Sequence, residues 1–316
     1  MPLRKEFFEN FFIRATPVFN LNDPYEGLFN KNQLLDLKKN HQEYYGQYED
    51  FENWELEEHM EHIQDEIFQS GIISLCENGD NHLMWAHYAD QHKGMLIQFD
   101  NSKPLFANSI RNIDGNLCRF KKDIFGTTTE TPKLVTYQAE LPQFSQASEA
   151  NPDYPNDFYL KKFNQKVLFT KAKIWSYESE YRSIVDLSEA DSIIYQADEQ
   201  LIEFCSKYSE ITVNKLEGNR IQITFPDEYE MHEDMGDESI RDEVFFQTNF
   251  LESIKLFKIN PKAISSVYFG CRSDNKLTEE LCNKIREKEE LSHLKNKIYK
   301  MNVDETQYKL NPILME

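Results

Sequence analysis

The sequence predicts an α+β protein: a mixed or antiparallel central sheet with flanking helices and acidic helical and loop insertions. Segments with strand alternation and segments with helical spacing are interspersed without a regular βαβα rhythm, which argues against an all-parallel sheet. Apolar residues occupy 40% of the 316 positions and aromatic residues 13%, enough to bury a substantial core. With only 10 Gly and 11 Pro, and no repeat or low-complexity tract, long flexible linkers and repeat architectures are disfavoured. Residues 1–316 are therefore read as a single α+β domain, with a helical insertion at about 30–70 and an acidic loop at about 227–243.

Taken in order, "FNLNDPYEG" reads as a helix start. Pro24 pushes Asp23 out of the helical region, so Asp23 can cap with Pro24 at the first helical position, and Glu26 completes a capping-box-like pair. Residues 50–69 carry Leu56, Met60, Ile63 and Ile67 at helical spacing with acids on the other face. "GIISLC" is a short apolar strand. In "NHLMWAHYADQHKG", Asp80 or Asn81 caps a helix that runs to about His92, and Gly94 falls where a left-handed C-terminal cap is wanted. "MLIQF" follows as a strand, with Met95, Ile97 and Phe99 on one side.

Residues 101–133 show no clear period. "KLVTYQAEL" (133–141) reads as a strand with Val135, Tyr137 and Ala139 on one face. Residues 156–173 read as a helix with Tyr159, Phe163, Val167 and Thr170 inward, followed by a strand in "WSYESEYRSIVDL". "RIQITF" and "ISSVYFGC" are strands, "LTEELCNKIREKEELSHL" is a helix, and the last segment supplies an edge strand.

Charge narrows the function. A net charge of −20 repels phosphate backbones and anionic surfaces at long range, so non-specific nucleic-acid binding is disfavoured. No 18-residue apolar run and no charged-then-apolar leader is present, so neither a membrane span nor a signal peptide is expected. Five scattered cysteines without a CxxC pattern read as reduced thiols, mostly small core fillers, in a cytoplasmic protein.

Three groups of residues could carry chemistry. In the helix before "MLIQF", Trp85 and Ala89 share one face and Met84 and Tyr88 another, with His87 pointing elsewhere. The plainer reading docks the helix through Trp85 and Tyr88; the functional one makes the indole a stacking wall, with Tyr88 or His87 as polar handle in a pocket. In "TKAKIWSYESEYRSI", Glu178, Glu180 and Arg182 fall on one face of the expected strand. They form either a structural ion network or a cleft in which an ionised acid binds a sugar hydroxyl or steadies a cation. Upstream, Lys161, Lys162, Lys166, Lys171 and Lys173 form a local basic run that could attract a phosphate, or simply a solvated helix face. His59 and His62, after Glu55 and Glu58, lack an HExxH pattern, and an acid-rich solvated face accounts for them; no metal site is expected. Nor is there a Gly-rich phosphate loop or a GxSxG elbow.

Together, "FNLNDPYEG", "LMWAHYADQHKGMLIQFD", "VTYQAEL", "KAKIWSYESEYR" and "ISSVYFGC" resemble, in order, a bacterial family known as domain of unknown function 2971. Its pattern matches Asn22, Asp23 and Glu26, then Trp85, Tyr88, Lys93 and Gly94, then Lys171, Trp175, Glu178, Glu180 and Arg182. Family members usually open with a short tyrosine-containing strand, which this chain lacks or alters. The element order, with a late Glu-x-Glu strand, is also similar to the ADP-ribosyltransferase superfamily. That similarity implies NAD as cofactor or substrate and Glu180 as the acid that holds a ribose hydroxyl and steadies the charge left as nicotinamide departs. The superfamily's first-strand His or Arg would fall in the altered segment.

Two functions follow. One is an enzyme acting on a nucleotide or NAD-like ligand in a cleft lined by Asn22, Asp23, Trp85, His87, Tyr88, Lys171, Trp175, Glu178 and Arg182, with Glu180 catalytic. The other is a non-catalytic interaction or sensor module in a bacterial defence or stress system. There the same residues form a static network and the acidic loop recruits a protein partner.

Overall fold

The fold is α+β, built on one large antiparallel sheet and a smaller mixed one. The computed structural model describes residues 1–30, 64–107 apart from 66, 110–111, 117–118, 131–142, 163–226, 240–248 and 252–315. His59, His62, Lys161, Lys162 and most of the two insertions expected at 30–70 and 227–243 lie outside the described residues.

Along the chain the first strands are β1 Phe12–Pro17, β2 Ser70–Cys76 and β3 Met95–Phe99. Short pieces follow: β4 Ile110–Arg111, β5 Leu117–Cys118, β6 Lys133–Leu134, β7 Thr136–Gln138 and β8 Thr170–Ala172. Then come β9 Glu180–Asp186, β10 Ser192–Gln196, β11 Thr212–Leu216 and β12 Arg220–Thr224. The last four are β13 Ile254–Lys258, β14 Ile264–Phe269, β15 Ile298–Val303 and β16 Leu310–Leu314.

The large sheet runs β11-β12-β10-β13-β1-β2-β9-β6, every neighbouring pair antiparallel. Alternation sends Ala15, Ile73, Val185, Ile193, Ile221, Ile223 and Phe257 into one apolar cluster. The helices Glu199–Ser206 and Ile240–Gln247 cover it through Leu201, Cys205, Val244 and Phe245. Ile72 and Ile184, paired in register, face the other side and meet Phe163, Val167 and Leu168. The β2–β9 pair is therefore buried on both faces at its centre. Each fully buried Ile or Val there contributes about 1.5–3 kcal/mol, which fixes register firmly.

This register decides the site. Residues two apart on a strand share a face, so Glu180 and Arg182 lie on the Ile184 side of β9, towards residues 163–168. A side chain placed there has to be apolar or fully paired.

The small sheet runs β16-β15-β14-β3, with β14 and β15 parallel and the other pairs antiparallel. Its crossover helix, Asn275–Glu287, is capped by the Asp274 side chain on the Leu277 N–H and buries Leu281, Cys282 and Ile285 against Phe7, Phe8 and Phe11. No described helix is long and apolar enough to cross a membrane.

Several local expectations are corrected. "KLVTYQAEL" is not one strand: it breaks at buried Val135 into β6, paired with β9, and β7, paired parallel with β8. Residues 24–27 form a turn, not a helix; Asp23 accepts the Tyr25 N–H, and Glu26 leaves the cap for a distant arginine. The strand that precedes that turn, β1, contains no tyrosine. The helix capped by Asn81 stops at Tyr88, because Asp90, Gln91 and His92 all take left-handed φ. Gly94 is needed for a different reason from the one expected: a Cβ there would strike the Met1 carbonyl oxygen. Lys173–Glu178 is a 3-10 turn, so the strand begins only at Glu180. Thr170 opens β8, and the last residues of the expected acidic loop, 240–243, belong to the helix Ile240–Gln247. Strands β10, β11 and β13 and the helix Glu199–Ser206 arise in stretches to which no element is assigned from sequence.

Candidate functional site

Arg182 is fully buried, and its planar guanidinium carries five N–H donors that must all find acceptors. They do. Nε bonds Glu180 Oε1 at 2.8 Å; Nη1 bonds Glu26 Oε2 at 2.9 Å and the Leu168 carbonyl at 2.7 Å; Nη2 bonds Glu26 Oε1 at 2.6 Å and Glu180 Oε2 at 3.2 Å. Lys171, on β8, joins the group from above. Its Nζ donates to Glu178 Oε2 at 2.6 Å and Glu180 Oε2 at 2.9 Å and lies 3.8 Å from Glu26.

Three carboxylates thus surround two cations, leaving one negative charge in excess. Burial pushes the Glu26 carboxyl above its usual range, and the Arg182 guanidinium only partly offsets this. Glu180 goes the other way: burial raises it, but Arg182, Lys171 and the Ser74 hydroxyl together hold it below the usual carboxylate range. Burial alone would lower Lys171; the Glu180 and Glu178 carboxylates keep it above the ordinary lysine value.

Tyr88 carries this network to the surface. Its hydroxyl donates to Glu178 Oε1 at 2.6 Å, and the Asn22 side chain bonds the same hydroxyl. Burial and the Glu178 carboxylate hold the phenol well above the ordinary tyrosine range. The turn that delivers Glu178 is fixed at its end: Asn81 Nδ2 donates to the Tyr177 carbonyl at 2.6 Å, the Glu77 N–H to the Ser179 carbonyl at 3.2 Å, and Ser179 takes φ 45°. Tyr137 accepts the Glu180 N–H at 2.8 Å.

The residues expected from sequence divide into two groups. Asn22, Tyr88, Lys171, Glu178, Glu180 and Arg182 converge on one network, although Glu178 arrives from the 3-10 turn instead of the strand face. Trp175 lies under the Lys171 ammonium, 5.1 Å from ring centroid to Nζ. Exposed His87 borders Tyr88 and Tyr177 at ring separations of 6.3 and 6.4 Å. Trp85 is not brought to this group. Its indole is buried with Ala89, Met301 and Leu310, and Nε1 donates to the Gly79 carbonyl at 2.7 Å. Asp23 is buried in its own turn. The basic run does not act as one face, because Lys171 turns inward to the carboxylates.

Glu26, Ser74 and Tyr137 are the members that the candidate residues omitted, although the family pattern includes Glu26. Glu26 lies 156 positions from Arg182, and its spacing from Asp23 offers a complete local explanation as a capping residue. The signal that could have found it is bookkeeping: a lone arginine between Glu180 and Ile184 on a buried strand needs more acceptors than one glutamate provides.

Chemically, the group is a rigid, preorganised anion-rich floor under an aromatic and amide rim of Asn22, His87, Tyr88, Trp175 and Tyr177. Among the described residues no three His, Cys, Asp or Glu side chains are placed to hold a metal ion. No curated protein and no solved structure matches the chain. Residues 84–183, a span that holds Tyr88, Lys171, Glu178, Glu180 and Arg182, match the model of a family described as protein of unknown function, DUF2971.

Proposed function

We propose that this protein is a ligand-recognition module whose face, Asn22, His87, Tyr88, Trp175 and Tyr177, is held rigid by the ionic network beneath it. The observation that carries this reading is the saturation of Glu180, which is 3% exposed with both oxygens bound by Arg182 and one also by Lys171. To reach a reacting sugar carbon it would have to give up charge-assisted bonds worth about 1.5–3 kcal/mol each. Glu180 thus acts as a structural anion. The matching ligand is a nucleotide or other small molecule with a flat, electron-poor or cationic ring: Tyr88 and Trp175 supply π faces, and the excess negative charge favours a cation. NAD, with its cationic nicotinamide ring, is of this kind.

Calorimetric titration with NAD and with ATP tests the reading. Trp175→Ala is expected to weaken binding about tenfold with only a small loss of melting temperature, as loss of one stacking partner should. Binding that ignores Trp175 would remove the face from consideration.

A second reading, ADP-ribosyltransferase-like turnover with Glu180 as catalytic acid, is favoured by the same excess negative charge, which suits a cationic transition state. Nicotinamide release from NAD by the natural protein, abolished in Glu180→Gln, would establish it; release equal in both, or absent from both, rejects it. A protein partner recruited through 227–243 is the other form a binding role can take, and deletion of that segment in a pull-down tests it. The free thiols of Cys76, Cys205, Cys271 and Cys282 support a reducing, cytoplasmic compartment, and Phe99, packed against both main apolar clusters, supports one domain.

A further inference from the structure

A different part of the molecule leaves its polar groups less completely matched. A cavity of about 530 Å³ lies between the start of the His82–Tyr88 helix, the loop before β3, the end of β14 and the β15–β16 hairpin. That volume is in the range of small-molecule sites. His82, His92, Cys271, Arg272 and Val303 line it together with residues 304–310.

The loop that carries His92 is strained and clamped. Asp90, Gln91 and His92 take φ of 47°, 53° and 69° in succession, a left-handed path that non-glycine residues hold only where their surroundings over-determine it. Here they do: the His92 N–H bonds the Trp85 carbonyl at 3.1 Å, the Gly94 N–H bonds Ala89 at 2.7 Å, and the Arg272 N–H bonds the His92 carbonyl at 3.0 Å. A Cβ on Gly270 would collide with that same carbonyl oxygen. The imidazole so placed lies parallel to the Trp85 indole, 6.4 Å between centroids, and 6.5 Å from the His82 ring. His92 Nδ1 is buried without a hydrogen-bond partner, and burial together with Arg272 and His82 lowers the ring's pKa. His82 Nε2 donates to the Tyr308 carbonyl at 3.1 Å, which ties the helix to the hairpin.

The charges at the lip are unequal in availability. Arg272 and Lys309 are exposed cations. The Asp304 carboxylate spends its acceptor sites on its own turn, which holds it ionised: Oδ1 accepts from Thr306 N–H and Oγ1 and from Gln307 N–H, and Oδ2 accepts from Asn311 Nδ2. Glu305 is the remaining acid. Exposed Val303 and Tyr308, with buried Leu310, add an apolar wall.

We propose that this cavity binds a small organic anion, a carboxylate or phosphate carried on an apolar or aromatic body, with Arg272 holding the anionic group beside His82 and His92. The probes are inorganic phosphate, benzoate and phenyl phosphate, followed through the imidazole NMR signals of His82 and His92 in the full chain. Shifts with phenyl phosphate and phosphate point to a phosphate head; shifts with benzoate point to a carboxylate. In either case exposed Arg272→Met is expected to weaken binding about tenfold at unchanged melting temperature, while Trp175→Ala leaves it as it was. Absence of shifts with all three probes at about 10 mM, a level that would register even millimolar affinity, overturns the proposal. So does binding that survives Arg272→Met unchanged.

Discussion

The ionic network around Arg182 and the cavity around His92 are both polar, yet they solve burial in opposite ways. In the network all five guanidinium donors and both Glu180 oxygens have partners within the chain. At the cavity a strained loop presents an imidazole whose Nδ1 has none. A saturated group has no bonding capacity left for a ligand and acts by holding its neighbours in place; a buried unsaturated one costs free energy and persists only where its surroundings hold it. Perturbed carboxylates alone would have pointed to the first region as the reactive one. The hydrogen-bond inventory assigns it the supporting role, with Tyr88 and Trp175 as the face it supports.

The largest expected effect comes from breaking the saturated region. Arg182→Met takes the guanidinium from two buried carboxylates, Glu26 and Glu180, and should lower the unfolding free energy by about 3–5 kcal/mol in urea titration. In the strained region, Gly270→Ala drives a methyl group against the His92 carbonyl and should cost about 1–3 kcal/mol; an unchanged urea midpoint would mean that the loop is free to move.

Tyr88→Phe should cost less, about 0.5–1.5 kcal/mol at neutral pH, since it removes one neutral donor from a half-exposed hydroxyl. It should also alter the alkaline limb. Tyr88 and Lys171 are both raised in the folded state, so their stabilisation is complete below pH of about 10 and declines as pH rises towards the folded values. The phenylalanine variant loses the tyrosine share of that decline and should show a flatter stability curve above pH of about 10. Smallest of all, Ile174→Ala, at a side chain 79% exposed beside the face, should move stability by no more than about 0.5 kcal/mol.

What the sequence revealed follows the range of each interaction. Asn81 as cap, Trp85 and Ala89 on a buried stripe, and Glu180 with Arg182 on one strand face are set by residues within a few positions, and all are visible in the local pattern. Glu178 was displaced because Trp175 and Tyr177 favour strands by propensity. Pairing of Lys171 with Glu178 across the turn, and the Asn81 bond to Tyr177, override that preference. Glu26 stands in the family pattern, but its pairing with Arg182 escaped because a sufficient local role concealed a non-local one. The His92 loop could not be read at all: nothing in "YADQHKG" announces three left-handed residues, which exist because Met1, Gly94 and Gly270 pack the backbone too closely for a helix to continue.

Equilibrium unfolding of Glu180→Gln beside Arg182→Gln tests the central claim most directly. If the network is a static support, both variants should lose at least about 2 kcal/mol, by similar amounts, because each breaks charge-assisted bonds of the same buried group. A Glu180→Gln protein as stable as the natural one would contradict the account and return Glu180 to the list of residues held in reserve for a substrate.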